Sequence, residues 1–571
     1  MLNSHYQSEL NHLRRLADEF ARRNPALAPL LGVDSASDPD VERLLEGVAF
    51  LTGMVRQRLD DEFPEFIQEL AQLLYPHYLQ PLPCMTLLQF EPRSALQDSQ
   101  LIDAGCEVAS VPVDGQRVKF RSTFAVRLDP LQLMDSRWEG GTAQERSLVM
   151  DLAFTTATPE SWEEDALRFY LGDGLADAGK LLRLLQLNLR EIRISAAGQP
   201  VTILPAKSLR PTGFDADSVL LPYPNNAHPA YRCIQEYFAL PEKFLFIELS
   251  GLKKWTQRGA GGRFTIRFMF DNLPDWTPGV TANSFLLGVS PAVNLFQQDA
   301  HPLRIDHKQP DYRIQPANHG QRQNLRIHSV LNVTGYTSGG GEKRLQPFNT
   351  FSQRDMYNLR IRASSVDAFG FDHYLSLPYS EGQSLADMTL SIDLLCTNGQ
   401  LPESLRLGDL NQPTDNTPAR VAFKNIRGIT ACQPPKFDDK LLWRMLSHLN
   451  ANHFRLADRD YLRGLLALYL PSLGEGAMDA NQRRIDSIEK VTTTQERRFI
   501  RGLPMEGTLV RVDARADHFL SPGNFYLFGC VLDEFFAGCT AINTFTAFTL
   551  FDTVNHETLK WPAKIGHQRL L

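Results

Sequence analysis

Prolines cut the first ninety residues into three helical stretches. Tyr6, Leu10, Leu13, Ala17 and Phe20 recur in steps of four and three, which places them on one face of an α-helix. The pattern stops at Asn24-Pro25, where proline cannot continue the helix before it. It resumes after Asp38-Pro39: Asp38 can cap free N–H groups, and Pro39 fits the first helical position. Val41, Leu45, Val48, Thr52, Val55 and Leu59 then repeat the same steps, and Leu44 and Leu51 widen the stripe. A third start follows at Glu62-Phe63-Pro64. Asp60, Asp61, Glu62 and Glu65 crowd its first turns, as the positive end of a helix dipole favours. Phe66, Ile67, Leu70, Leu73 and Leu74 line it as far as Tyr75-Pro76. The pattern predicts a helical unit over residues 1–85 with one apolar stripe per helix. Each stripe has to be buried, against its neighbours or against another chain.

After Pro83 the period changes from helical to alternating. Residues 86–90, 107–113, 118–128 and 148–154 read as strands, with Val118, Phe120, Phe124, Val126 and Leu128 alternating. A helical interval is expected around Asp165 to Leu171 and again at Leu181 to Leu187, before a strand through Leu189, Ile192 and Ile194. This makes a first β-rich domain, 86–210. A second, 211–435, has its clearest strands at Phe244 to Leu249 and Phe264 to Phe270, with Phe264, Ile266, Phe268 and Phe270 facing one way. Gly259-Ala260-Gly261-Gly262 precedes a strand rather than opening a helix, so it reads as a turn and not a phosphate cradle.

From 436 to 571 the pattern is mixed. Leu441 to Leu449, Tyr461 to Tyr469 and Asn481 to Val491 read as helices, followed by strands at 491–502 and 507–512. Phe528, Leu532, Phe535 and Phe536 then give a helix an aromatic face. The predicted class is α+β: an elongated multi-domain chain with an N-terminal helical unit, β-rich middle domains and a mixed α/β C-terminal domain.

Composition narrows the function. The chain has 571 residues, 43% of them apolar, enough for several packed cores. Its net charge of −7 argues against a general binder of nucleic acid or anionic membrane. No apolar run approaches the roughly 20 residues that span a bilayer. No signal-peptide pattern opens the chain, and seven scattered cysteines fit reduced thiols in a cytoplasmic protein. His301, Asp306, His307 and Asp311 are metal-ligand types within a short span, but they lack a recurring ligand spacing and read as a strand edge and turn. The carboxylates Asp60, Asp61, Glu62 and Glu65 cluster beside Arg56 and Arg58, where they cap and pair rather than flank a cleft. No nucleophile elbow, phosphate loop or zinc-protease motif is present, and no cofactor or metal is expected.

Four spaced blocks carry a family resemblance. Tyr6-Gln7-Ser8-Glu9-Leu10, Asp38-Pro39-Asp40-Val41-Glu42-Arg43-Leu44-Leu45-Glu46-Gly47, Asp60-Asp61-Glu62-Phe63-Pro64 and Leu74-Tyr75-Pro76-His77-Tyr78-Leu79-Gln80-Pro81 form the first. Ser290 to Phe296 with His301 to His307 and Asp311 to Ile314 is the second, Thr389 to Pro402 the third, and Gly523 to Ala537 with Ile542 to Thr546 the fourth, joined by Trp561-Pro562. Together they resemble the TssF (VasA/ImpG) family, baseplate wedge subunits of type VI secretion systems, over nearly the whole chain. The resemblance implies a non-enzymatic structural protein, located in the cytoplasm at the inner membrane without inserting into it. Two copies would join one TssG, with TssK attached and TssE as a further wedge component. Six wedges would surround the VgrG spike as the platform for tube and sheath subunits. A phage-tail-like contractile injection subunit would share this chemistry, and a cytoplasmic hydrolase with an unrecognised site is the alternative from another class. The expected contact residues are the stripe Leu10, Leu13, Phe20, Leu45, Val48 and Leu59, within or across chains. Asp60, Asp61 and Glu62 would face a basic partner, and the helix around Phe528 and Phe535 would face a second copy or TssG.

Overall fold

The computed structural model describes residues 2–23, 40, 43–54, 71–72, 76–93, 96, 98–140, 146–156, 160, 162–215, 217–223, 229–259, 261–317, 324–337, 340–348, 355–364, 370–378, 387–435, 458–471, 475–500 and 502–566. They fall into two compact units, Met1–Leu74 and Tyr75–Leu571. The first contains the helix Leu2–Arg23 and a second helical segment over 43–54. The expected helix at Leu441 to Leu449 and the start at Glu62 lie outside the described residues.

In the second unit three antiparallel sheets are interleaved. A six-stranded sheet runs in the order Gln412–Pro413, Glu107–Ala109, Lys119–Ser122, Val289–Val293, Met85–Pro92, Val421–Asn425. A five-stranded sheet orders Thr202–Pro205, Leu189–Ala196, Arg263–Phe270, Ser147–Phe154 and Leu131–Glu139. A four-stranded sheet joins Leu209–Thr212, Phe246–Ser250, Ala166–Leu171 and Phe285–Leu286. Every one of them takes strands from both sides of residue 211. The division expected there falls inside the strand Leu209–Thr212, so the two β-rich halves are one body.

The first strand closes this body. Met85–Gln89 pairs with Val289–Val293 on one side, and Leu88–Pro92 with Val421–Asn425 on the other. Leu82 and Gln433 exchange both backbone hydrogen bonds, at 2.9 Å each. Leu88, Phe90, Val108, Phe120 and Leu410 fill the core beneath. A further sheet, built on the pairing of Arg326–Thr337 with Met388–Thr397, has its own core around Val333, Leu375, Leu390 and Leu394.

Two helical expectations are corrected. Ala166–Leu171 is an inner strand: Leu167 and Phe169 are buried at period two, a strand signal that outweighs the leucine content. The helix expected over Asn481 to Val491 is Glu475–Asp486, and Ile488 already begins a strand. That strand, Ile488–Ile500, forms a hairpin with Leu503–Ala514, which pairs in parallel with Thr544–Asp552. Parallel neighbours need a crossover, and the helix Pro522–Gly538 supplies it.

Candidate functional site

Over the described part of the second helical segment most of the large apolar side chains point outward. Over 43–54, Ala49 and Gly53 are buried one turn apart, so small residues form the packed face. Leu44, Val48 and Leu51 lie at i, i+4 and i+7 on the other side, with Leu44 68% and Leu51 63% exposed. Phe50 and Met54 widen the exposed face. Thr52 does not interrupt it with a polar group, because its hydroxyl donates back to the Val48 carbonyl at 2.8 Å. On the first helix Leu10 is buried, Leu13 half-buried and Leu16 exposed. A soluble chain rarely leaves five large apolar residues contiguous on one helix unless something covers them. Of the predicted contact residues, Leu10 is therefore internal, Leu13 and Leu45 are half-buried, and Val48 lies on the open face. Leu59, Asp60, Asp61 and Glu62 lie outside the described residues, as does the Phe20 side chain.

The second unit begins with an aromatic seat. Pro76–Leu79 forms one 3-10 turn with His77, Tyr78 and Leu79 buried. The His77 ring stacks on Tyr78 at 4.7 Å, Tyr223 at 5.0 Å and Tyr469 at 6.0 Å, and its Nε2 lies 3.2 Å from the Tyr469 hydroxyl. Burial lowers the His77 pKa to about 3, so the ring stays neutral and packs as an aromatic. Tyr469 also stacks on Tyr231, which meets Phe535. The chain emerging from the helical unit is thereby tied to the C-terminal domain.

Phe528 and Phe535 sit inside the chain's own core, not on a surface for a second copy or TssG. Phe528 packs on Tyr237 and Phe519, and Phe535 on Tyr231 and Phe536. Their helix is apolar nearly all round because it is covered on every side, by two helices and a sheet. Its glycines set the contacts. A Cβ on Gly523 would stand 2.0 Å from the Gly179 carbonyl carbon, so this helix and Leu175–Leu187 touch backbone to backbone. A Cβ on Gly529 would meet the Trp561 ring at 2.3 Å, and one on Gly538 the Ala230 Cβ at 2.7 Å. Ser521 caps the helix by accepting from Asn524 N–H at 3.2 Å, while its hydroxyl lies 2.9 Å from the Ala176 carbonyl. The second and third sequence blocks also meet. Asn294 Oδ1 accepts from Thr397 Oγ1 at 2.7 Å and from Asn398 N–H at 2.8 Å, and its Nδ2 donates to the Lys119 carbonyl and to Asn398 Oδ1.

Groups suited to chemistry are dispersed. A cleft of about 760 Å3 is lined by Phe90, Leu128, Phe246 and Phe285 with Arg127, Arg168 and Glu248. Its charges are engaged: Arg127 pairs with Glu164, and Arg168 with Glu248, which also takes Arg210. Asp306 accepts from the Tyr312 hydroxyl at 2.8 Å, and Asp311 pairs with Arg362 at 2.9 Å. His307 occupies a left-handed turn position just past the strand Leu303–Ile305. No cluster of three metal-ligand side chains occurs among the described residues. The sequence reading missed the aromatic seat, although Pro76-His77-Tyr78 carries its signal: two adjacent rings directly after a proline, both buried in the structure. It also assigned the stripe over 41–59 by period alone, which identifies an apolar face but not what covers it.

Comparison with known proteins places these features. The model of the family described as "Type VI secretion system, TssF" matches residues 1–568. Type VI secretion system component TssF1 of Pseudomonas aeruginosa is 30% identical, over 99% of this chain and 98% of that protein. A chain in the cryo-electron microscopy structure of a type VI secretion TssK-TssF-TssG baseplate subcomplex is similar with a TM-score of 0.80 at 28% identity, covering 93% of this chain and 99% of that one. A chain of the type VI secretion baseplate complex shares the fold, with a TM-score of 0.63 at 24% identity over the full length of both.

Proposed function

The chain belongs to the TssF family of type VI secretion systems, and from this membership we propose that it is a structural wedge subunit of the baseplate, held in place by its N-terminal helical face. The observation that carries this reading is the open surface of Leu44, Val48, Phe50, Leu51 and Met54. A helix with a wide apolar face binds other helices by knobs-into-holes packing, so its natural complement is an amphipathic helix of a partner. A solved structure similar in fold contains TssK, TssF and TssG, and here the partners are read the same way: TssG against the helical face, TssK on the wedge, and a second copy of this chain. TssE, the VgrG spike and the sheath follow from the wedge role, as does docking at the inner membrane. The β-rich body acts as a rigid spacer that fixes where those partners stand.

Co-expression with the neighbouring baseplate proteins tests this. A purified complex whose mass fits two copies of this chain per TssG supports the reading. Leu44→Glu with Leu51→Glu should leave the chain folded, since both side chains are exposed, and abolish entry into the complex. Unimpaired assembly of that variant would sink the proposal that this face carries it.

A further inference from the structure

The C-terminal sheet ends on a long unpaired edge. Ile488–Ile500 is the terminal strand in the order Ile488–Ile500, Leu503–Ala514, Thr544–Asp552, Thr558–Lys560, and among the described residues no strand pairs with its outer side. Its orientation follows from the turn. Ile500 opposes Leu503 across a two-residue connection, so these two form the hydrogen-bonded pair that closes the hairpin. Phe499 then opposes Pro504, a residue with no N–H to give, as a non-hydrogen-bonded pair requires. Counting back, Val491, Thr493, Gln495 and Arg497 aim their N–H and C=O groups outward, where another strand can take them.

We propose that this edge pairs antiparallel with the same edge of a second copy, across a two-fold axis through Thr493. Charge selects the register. With the axis at Thr493, Lys490 of each copy stands opposite Glu496 of the other, at a non-hydrogen-bonded position where side chains come closest. Thr492 then faces Thr494, and Arg497 comes beside Glu489 at the bulge that follows Ile488. An axis at Thr494 would set Lys490 against Arg498, a like-charge clash, and one at Thr492 would match neither Lys490 nor Glu496 with an opposite charge. Of these three registers only the one centred on Thr493 is self-complementary, as an isologous interface requires. Lys490 is exposed, and Glu496 pairs with Arg498, whose guanidinium also lies over the Phe545 ring. This contact is separate from the N-terminal helical face and does not depend on it.

Site-specific cross-linking of the full chain tests it. Thr493→Cys, next to its own image, should give a disulfide-linked dimer on mild oxidation. Gln495→Cys, about 13 Å from its image at 3.4 Å per residue, should give little. Glu496→Lys should weaken the Thr493→Cys cross-link at least several-fold, and the added change Lys490→Glu should restore it by swapping the pair. Circular dichroism and thermal melts identify any variant that fails to fold; the swapped pair, which conserves charge and volume, then carries the test. Equal cross-linking at 493 and 495, none at 493 in a folded chain, or a swap that does not restore the yield would each overturn the proposal. Leu44→Glu with Leu51→Glu in the same background should leave the cross-link intact, which separates this contact from the helical one.

Discussion

Glu236 and Lys243 form an ion pair that water does not reach, and the carboxylate also accepts the Leu220 and Leu221 N–H groups at 2.8 and 3.1 Å. Lys243→Met leaves that charge buried with only its two backbone N–H partners. Loss of one member of a buried pair costs on the order of 3–5 kcal/mol, so the urea midpoint should fall sharply. Acid sensitivity has a similar origin. Burial lowers His77 and His328 to about 3 and His373 to about 4, with Arg121 and His373 adding to the effect at His328. The folded chain leaves these rings neutral while the unfolded chain protonates them below about 6.5. Their stability is therefore present above 6.5 and lost as pH falls towards 4. Asp533 acts in the opposite sense: burial raises it to about 6 despite Lys564, so its protonation favours the fold between about 4 and 6. Three groups against one leave two uncompensated, or about 3 kcal/mol per pH unit near pH 5 from these four residues. Urea unfolding from pH 7 to 4.5 should show that slope, and Asp533→Asn should steepen it to about 4 kcal/mol per unit. None of this was legible in the sequence, where a histidine that packs as a ring and one that titrates look alike.

Among the elements, those with a strong single period were legible. Phe264–Phe270 alternates as expected and is buried on one side, and the aromatic helix near the C-terminus spans Pro522–Gly538. Ala166–Leu171 was misread because six residues with leucines at both ends satisfy helical and strand spacing alike, and only its sheet neighbours decide. The glycines of the Pro522–Gly538 helix were visible but their reason was not, since a close approach belongs to two elements distant in sequence. Gly523→Ala should destabilise the chain by about 3 kcal/mol or more, because the new methyl meets Gly179 backbone that cannot move aside. Gly464→Ala, in the helix Arg459–Leu468 with nothing within 4 Å, should instead stabilise by up to about 1 kcal/mol. Thermal melts of the two variants should move in opposite directions.

At the scale of the whole molecule the chain divides into two compact units, Met1–Leu74 and Tyr75–Leu571. The helices Leu2–Arg23 and 43–54 fall within two of the proline-bounded stretches, but the open face was not legible, because period alone does not distinguish a core from an interface. The interleaving of the sheets was equally hidden, since strand order depends on residues hundreds of positions apart. Deleting residues 1–74 should leave the remainder folded, with a melting temperature close to that of the full chain, because among the described residues no strand of its sheets comes from that region. The same truncation should fail to co-purify with the other baseplate proteins. A truncated chain that aggregates would mean the β-rich body needs the helices for its own stability.

The placing of Met85–Pro92 between Val289–Val293 and Val421–Asn425 has a consequence during synthesis. The ribosome must add 328 residues after Pro92 before the second neighbour begins at Val421. At about 5–20 residues per second that is roughly 15–65 s in which Leu88 and Phe90 lack one flank of their sheet. Nascent chains of this length carry half-paired strands, so yield in the cell should depend on holding chaperones, and on how fast the stretch between the two strands is translated, more than on the stability of the finished fold.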